Sequence, residues 1–151
     1  VARFWSGIKL VKLTPEGKRA DNELTALAGR KNGGAIEAPF VVHRCGYYYL
    51  FVSFDKCCAG ADSTYRVMVG RSRDVKGPYV DRAGTAMLQG GGTQVVAGAG
   101  AWKGPGHNAV LRTDKGDYNL YHAYAAGDGH SELRISQLVW DAEGWPISGG
   151  P

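Results

Sequence analysis

Residues 33–55 read GGAIEAPFVVHRCGYYYLFVSFD, and their reading decides the fold. Val, Ile, Phe and Tyr favour the pleated, half-buried surface of a sheet, and Cys45-Gly46 interrupts the apolar run where a tight turn belongs. The stretch is therefore predicted to be a β-hairpin with strands over 37–44 and 47–54. One acid, Glu37, stands at the open end of the first strand, with Pro39 two residues on and aromatic residues behind it. A carboxyl partly shielded from water in this way holds its proton longer than a surface carboxyl, which suits it to general acid catalysis. The plainer reading is an ordinary strand-end carboxylate paired with Lys31 or Arg44.

Working outward, the 151 residues are the size of one domain, with 44% hydrophobic and 21% charged residues and 23 glycines, a globular and turn-rich composition. The net charge of +4 comes from basic residues scattered among acids, so no nucleic-acid-binding stripe is present. No apolar run approaches the ~20 residues of a membrane span, and no signal-peptide pattern opens the sequence. The three cysteines, Cys45, Cys57 and Cys58, form neither a disulfide framework nor a zinc pattern. Adjacent Cys57 and Cys58 could close a ring disulfide or remain two thiols, and free thiols are the default expectation.

A repeat organises the rest. HNAVLRTDKGDYNLYHAYA, from His107, lines up with EAPFVVHRCGYYYLFVSFD, and SELRISQLVWDAEGWPI, from Ser131, lines up with STYRVMVGRSRDVKGPYV, from Ser63. GIKLVKLTPEGK, from Gly7, matches the third strand and charged turn of both units. Antiparallel four-stranded units recurring every ~40–45 residues are the signature of propeller blades. The expectation is all-β: residues 1–20 the outer part of one blade, 36–82 a second blade with its third strand over 64–72, 83–106 a Gly-rich connection irregular apart from the Thr93 to Val96 run, and 107–147 the last blade with strands over 107–112, 118–125 and 132–140. PYVDR, from Pro78, is read as the fourth strand of the second blade, and Glu23 to Ala28 as able to wind one helical turn. Two and a half blades do not close, so the sequence reads as the C-terminal part of a longer chain. Its edge near Gly7 to Leu13 would then be covered by the missing N-terminal half or by a second copy. An ordinary antiparallel sandwich or small open barrel is the competing architecture.

In a propeller the innermost strand of each blade lines the central channel, so its first residues face the mouth where ligands sit. Glu37 and His107 fall within one position of each other in the aligned repeat and should reach one central site. A lone histidine in GPGHNAV could equally hydrogen-bond a loop backbone, and His43, His122 and His130 are left as strand or loop residues.

The motifs FWSGIKL, GGAIEAP, YYYLFVSFDKCC, STYRVMVGRS, GPYVD, GGGT, GPGHNAV, DYNLYHAY and LRISQLVWDAEGWP occur in order over essentially the whole sequence. Together they resemble the endo-1,5-α-L-arabinanases of glycoside hydrolase family 43. The resemblance implies a five-bladed β-propeller, of which this chain would hold the C-terminal blades, and inverting hydrolysis of α-1,5-linked L-arabinan outside the cell. It implies that Glu37 is the general acid and that His107 approaches a central metal, calcium, otherwise held mostly by water. Trp5 and Ser6 match positions near the sugar-binding cleft, where an aromatic face can stack on a furanose. An inverting glycosidase also needs a carboxylate base across the sugar. In the family, that aspartate and a second one that tunes the acid come from earlier blades, and no aspartate of this sequence matches either. The resemblance therefore implies a chain with the acid and without the base, incomplete and inactive alone. The alternative is a non-catalytic carbohydrate-binding or assembly fragment.

Overall fold

The structure, a computed structural model, describes residues 6–151. Ten strands appear in chain order: β1 (Ile8–Leu10), β2 (Thr25–Ala28), β3 (Ile36–Arg44), β4 (Tyr47–Phe54), β5 (Arg66–Ser72), β6 (Thr93–Val96), β7 (Trp102–Thr113), β8 (Gly116–Ala125), β9 (Ser131–Trp140) and β10 (Pro146–Ser148). All pairings are antiparallel. They build a two-stranded piece, β1-β2, and two four-stranded blades, β3-β4-β5-β6 and β7-β8-β9-β10. The described residues contain no α-helix, only the 3-10 turns Gly60–Asp62 and Met87–Gln89.

The hairpin turn forms as its residues dictate: Cys45 and Gly46 both take positive φ, 48° and 75°, the twist that lets β3 reverse into β4 through two residues. Each inner strand also carries a bulge near its mouth. The β3–β4 register slips between Glu37 and Phe40, with Ala38 at φ 53°, and the β7–β8 register slips between Gly106 and Ala109, with His107 at φ 52°. The repeat seen in the sequence thus extends to the backbone, because a bulge inserts one residue and turns the strand end toward a new direction.

Apolar faces stack the pieces in order. Val42, Tyr49, Phe51, Val67 and Val69 of the first complete blade pack with Val110, Tyr121, Ala123, Leu138 and Trp145 of the last. On the other side Ile36, Leu50, Val52, Phe54 and Met68 meet Ile8, Leu27 and Ala28 of the two-stranded piece. A polar seam locks the first contact at the ends remote from Glu37. The Tyr49 hydroxyl donates to the Gly144 carbonyl at 2.6 Å, and Arg71 lies over the rings of both Tyr47 and Trp145.

Four local expectations are corrected. Residues 25–28 of the proposed helical turn are strand β2, because Leu27 and Ala28 bury themselves beside Ile8 and their backbone completes β1. The fourth strand of the first complete blade is β6, from inside the Gly-rich stretch, whereas PYVDR contributes only isolated bridges from Val80 to Arg71 and Ala86. The inner strand of the last blade begins at Trp102 rather than at residue 107, since Gly104 and Gly106 allow a strand to run where side chains would collide. Cys57 and Cys58 are joined as a disulfide, and only Cys45 is a free, exposed thiol. A turn that places Cys58 at φ 63° accompanies the closed ring.

Candidate active site

Glu37 is the second residue of β3, half-buried, and stands opposite Ser53 of β4. No cation among the described residues pairs with it; its partner is the Tyr65 hydroxyl, which donates to Glu37 Oε1 at 2.7 Å. Tyr65 lies just ahead of β5 and is only 1% exposed. Burial pushes its phenol well above the usual tyrosine range, the hydrogen bond to Glu37 adds to the rise, and the Ser53 hydroxyl opposes it. Tyr65 is thus a neutral donor throughout the physiological range.

The last blade closes over this pair. The His107 backbone N–H donates to Ser53 Oγ at 2.9 Å, so the bulge of β7 is tied to the strand position facing Glu37, while the His107 side chain stays exposed. His122 of β8 stacks on Tyr65 with ring centroids 5.7 Å apart and meets the ring of Tyr124 edge-on at 5.2 Å. Burial lowers the His122 pKa, and the nearby His107 charge lowers it further against the opposing pull of Glu37. Tyr124 in turn reaches the disulfide loop, its hydroxyl accepting the Cys58 N–H at 3.1 Å. Gly106 makes this closure possible: a Cβ there would lie 1.9 Å from Tyr65 Cδ1.

Glu37 and His107 therefore sit at the same end of adjacent blades. Ser6 is exposed just before β1, and Trp5 lies outside the described residues. His43 pairs with the Tyr48 ring on the outside of the hairpin, and His130 is exposed. Tyr65, Ser53, His122 and Tyr124 are the site residues that sequence reasoning did not pick out. The signal available for Tyr65 was its place at the mouth of a third strand in the repeat.

Asp55 is the aspartate at the site end of β4, yet it is committed elsewhere. Its Oδ1 lies 2.8 Å from Arg30 Nη1 and its Oδ2 lies 2.8 Å from Arg66 Nε. Among the described residues no group of three His, Cys, Asp or Glu side chains comes together to hold a metal. Calcium takes roughly six to eight oxygen ligands, and His107 offers a single nitrogen, so these residues do not by themselves build a calcium site.

Stacked antiparallel four-stranded blades, with Glu37 and His107 on the inner strands of adjacent blades, are the architecture of a β-propeller. The profile of glycosyl hydrolases family 43 matches residues 2–146, and the chain belongs to that family. It is 48% identical over 145 residues to extracellular endo-α-(1→5)-L-arabinanase 1 of Bacillus subtilis strain 168, a match covering 95% of this chain and 44% of the relative. It is 43% identical over 156 residues to the extracellular exo-α-(1→5)-L-arabinofuranosidase ArbA of Cellvibrio japonicus, covering 95% of this chain and 45% of that protein. Among solved structures, the family 43 endo-arabinanase of Bacillus licheniformis superposes with a TM-score of 0.88 at 49% identity, over 95% of this chain and 49% of the other. The Cellvibrio cellulosa α-L-arabinanase complexed with arabinohexaose gives a TM-score of 0.91 at 42% identity, over 97% and 50%. The chain spans about half the length of the relatives it matches. Its blades are those of a five-bladed β-propeller.

Proposed function

We propose that this chain supplies the general acid, Glu37, of an inverting hydrolase of α-1,5-linked L-arabinan working outside the cell, and that the base is a carboxylate on blades beyond these residues. The observation that carries the reading is a half-buried carboxyl at the inner-strand mouth, free of any paired cation among the described residues and held by one neutral donor. Such a carboxyl can give a proton to a departing glycosidic oxygen, whereas both oxygens of Asp55 already face the guanidinium groups of Arg30 and Arg66. Substrate class and location are supported by relatives named as extracellular arabinan-cleaving enzymes and by the arabinohexaose complex of a structural neighbour. Trp5 and Ser6 are proposed to contact sugar. His107 is proposed to give at most one nitrogen to a water-rich calcium site completed by other blades.

The reaction needs water held on the far face of the sugar by the base while Glu37 protonates the leaving oxygen, with the two carboxyls typically ~6.5–9.5 Å apart. Completion by further blades is supported by an apolar face that nothing in this structure covers. Leu133, Ile135 and Val139 alternate along β9 with exposures of 69%, 60% and 46%, and Ile147 beside them is 49% exposed. The edge of β1 away from β2 is likewise unpaired among the described residues.

The test joins or mixes these residues with the blades they lack. The 151 residues alone are expected to give no turnover of arabinan. The completed protein should hydrolyse it with inversion, and Glu37→Gln should lower that rate by roughly 10²–10⁴-fold. The loss should be far smaller on an aryl arabinoside whose phenolate leaves without a proton. A Glu37→Gln enzyme that keeps its rate on arabinan removes the acid from this reading. A completed protein that binds arabinan without cleaving it makes the chain part of a non-catalytic carbohydrate-binding propeller.

A further inference from the structure

We propose that Tyr65 is the positioning residue of Glu37, its hydroxyl occupying Oε1 so that the transferable proton is carried on Oε2. The proposal rests on Glu37 being the general acid. A free carboxyl can hold its proton on either oxygen and turn about its last side-chain bond, and only one of those arrangements points the proton at a given leaving oxygen. Tyr65 removes the choice: it donates to Oε1 at 2.7 Å, and an oxygen that already receives a donor at that distance is the poorer place for the proton.

The donor is itself held on several sides. Gly106 of β7 leaves no room for even one carbon against the ring, His122 of β8 stacks on it with an interplanar angle of 24°, and Tyr124 braces His122. Gly106, His122 and Tyr124 all belong to the last blade, whereas Glu37 and Tyr65 belong to the one before it. Stacking the blades therefore immobilises the donor, and a rigid donor keeps the acid within the narrow range of geometry that proton delivery requires.

The same bond acts differently along the reaction. As the Oε2–H bond breaks, the proton forms a new bond to the glycosidic oxygen, whose bond to the anomeric carbon breaks, and a negative charge appears on Glu37. A hydrogen bond to a carboxylate is about twice as strong as one to a neutral carboxyl, so Tyr65 stabilises the charge that develops and not only the ground state. Water on the base side forms the new bond to the anomeric carbon as one of its O–H bonds breaks and its proton passes to the base carboxylate; exchange with solvent then removes that proton and returns one to Oε2.

The test compares Tyr65→Phe, Glu37→Gln and the unaltered completed enzyme on arabinan and on an aryl arabinoside with a good phenolate leaving group. Tyr65→Phe is expected to lower kcat on arabinan roughly tenfold, the scale of one lost hydrogen bond to a charged group, with KM little changed and the aryl rate within about twofold. A purely structural role would lower both rates by the same factor. That result, or an unchanged arabinan rate, overturns the proposal. Should Tyr65→Phe fail to fold, 3-fluorotyrosine at position 65 keeps the shape and strengthens the donor; a changed ratio of arabinan to aryl rates supports the role and an unchanged ratio overturns it. If Glu37→Gln retains its arabinan rate, the acid assignment fails by itself. If Glu37→Gln shows the leaving-group signature and Tyr65→Phe does not, only the role of Tyr65 fails.

Discussion

Glu37 was legible as a single residue because two independent sequence signals met on it: an acid opening an apolar strand, and a repeat that placed the same position at an inner-strand mouth. His107 was reached by the second signal alone. Tyr65 and His122 were not legible, because their partners lie in different blades and no spacing along the chain encodes a stack between residues 65 and 122. Buried tyrosines also set how the protein responds to alkali. Tyr79 is 1% exposed and donates to the Val75 carbonyl at 3.0 Å, and burial, then Tyr48 and Asp74, push its phenol up to about 12 from 10.0. Between those values the unfolded chain releases the proton and the folded chain keeps it. The contribution of Tyr79 to stability is therefore full below pH 10 and is lost as pH rises toward 12. Urea denaturation across this window should show a shallower decline for Tyr79→Phe than for the unaltered chain, and identical slopes would contradict the assignment.

At the scale of elements, alternation and turn residues located β3, β4, β8 and β9 closely, since each buries a recurring face and ends at a turn. The elements reassigned by the structure are short: TALA, read as able to wind a helical turn, is β2, and TQVV, a run inside the Gly-rich connection, is the fourth strand β6. Strand β2 and strand β6 have only four residues each, and they exist because a neighbouring strand offers an open edge. Gly70 in β5 shows how tightly such additions pack: a Cβ there would lie 2.4 Å from Met87 Sδ and 3.1 Å from the Val80 carbonyl oxygen, and Met87 is fully buried. Gly70→Ala should therefore destabilise the chain by ~1–3 kcal/mol through overpacking. Combining it with Met87→Ala should cost less than the sum of the two single changes, as measured in a double-mutant cycle. Strict additivity would mean that the 3-10 turn at Met87–Gln89 does not confine Gly70.

At the scale of the whole molecule, the two surfaces that a ring would cover are chemically unlike. The β1 edge offers backbone hydrogen-bonding groups, whereas the outer face of the last blade offers Leu111, Leu133, Ile135, Val139 and Ile147, each 46% or more exposed. Five apolar side chains on one sheet face form a patch of the kind that marks a contact surface, and the proposed completion would set a further blade there. Replacing Leu133 and Ile135 together by Glu should leave folding nearly unchanged, because both side chains already face water, and should weaken assembly with the missing blades at least tenfold. Sedimentation of the mixed halves reads that outcome, and assembly of undiminished affinity would place the contact elsewhere.

From the sequence come the all-β class, the repeated blades, and the alignment of Glu37 with His107 in that repeat, which the structure sets on the inner strands β3 and β7 of adjacent blades. Those are local or periodic properties, written in alternation, turn residues and a repeat of fixed length. The tertiary structure alone decided what surrounds the carboxyl. Tyr65 meets Glu37 across one blade and is clamped by Gly106 and His122 only when two blades stack, and Asp55 is ion-paired only when Arg30 and Arg66 come together beside it. The physical reason is that strand formation follows from each residue's own preference and its period. The environment of a site group is instead set by side chains from separate blades, brought together by burial of faces that carry no record of which polar residue will end up beside which.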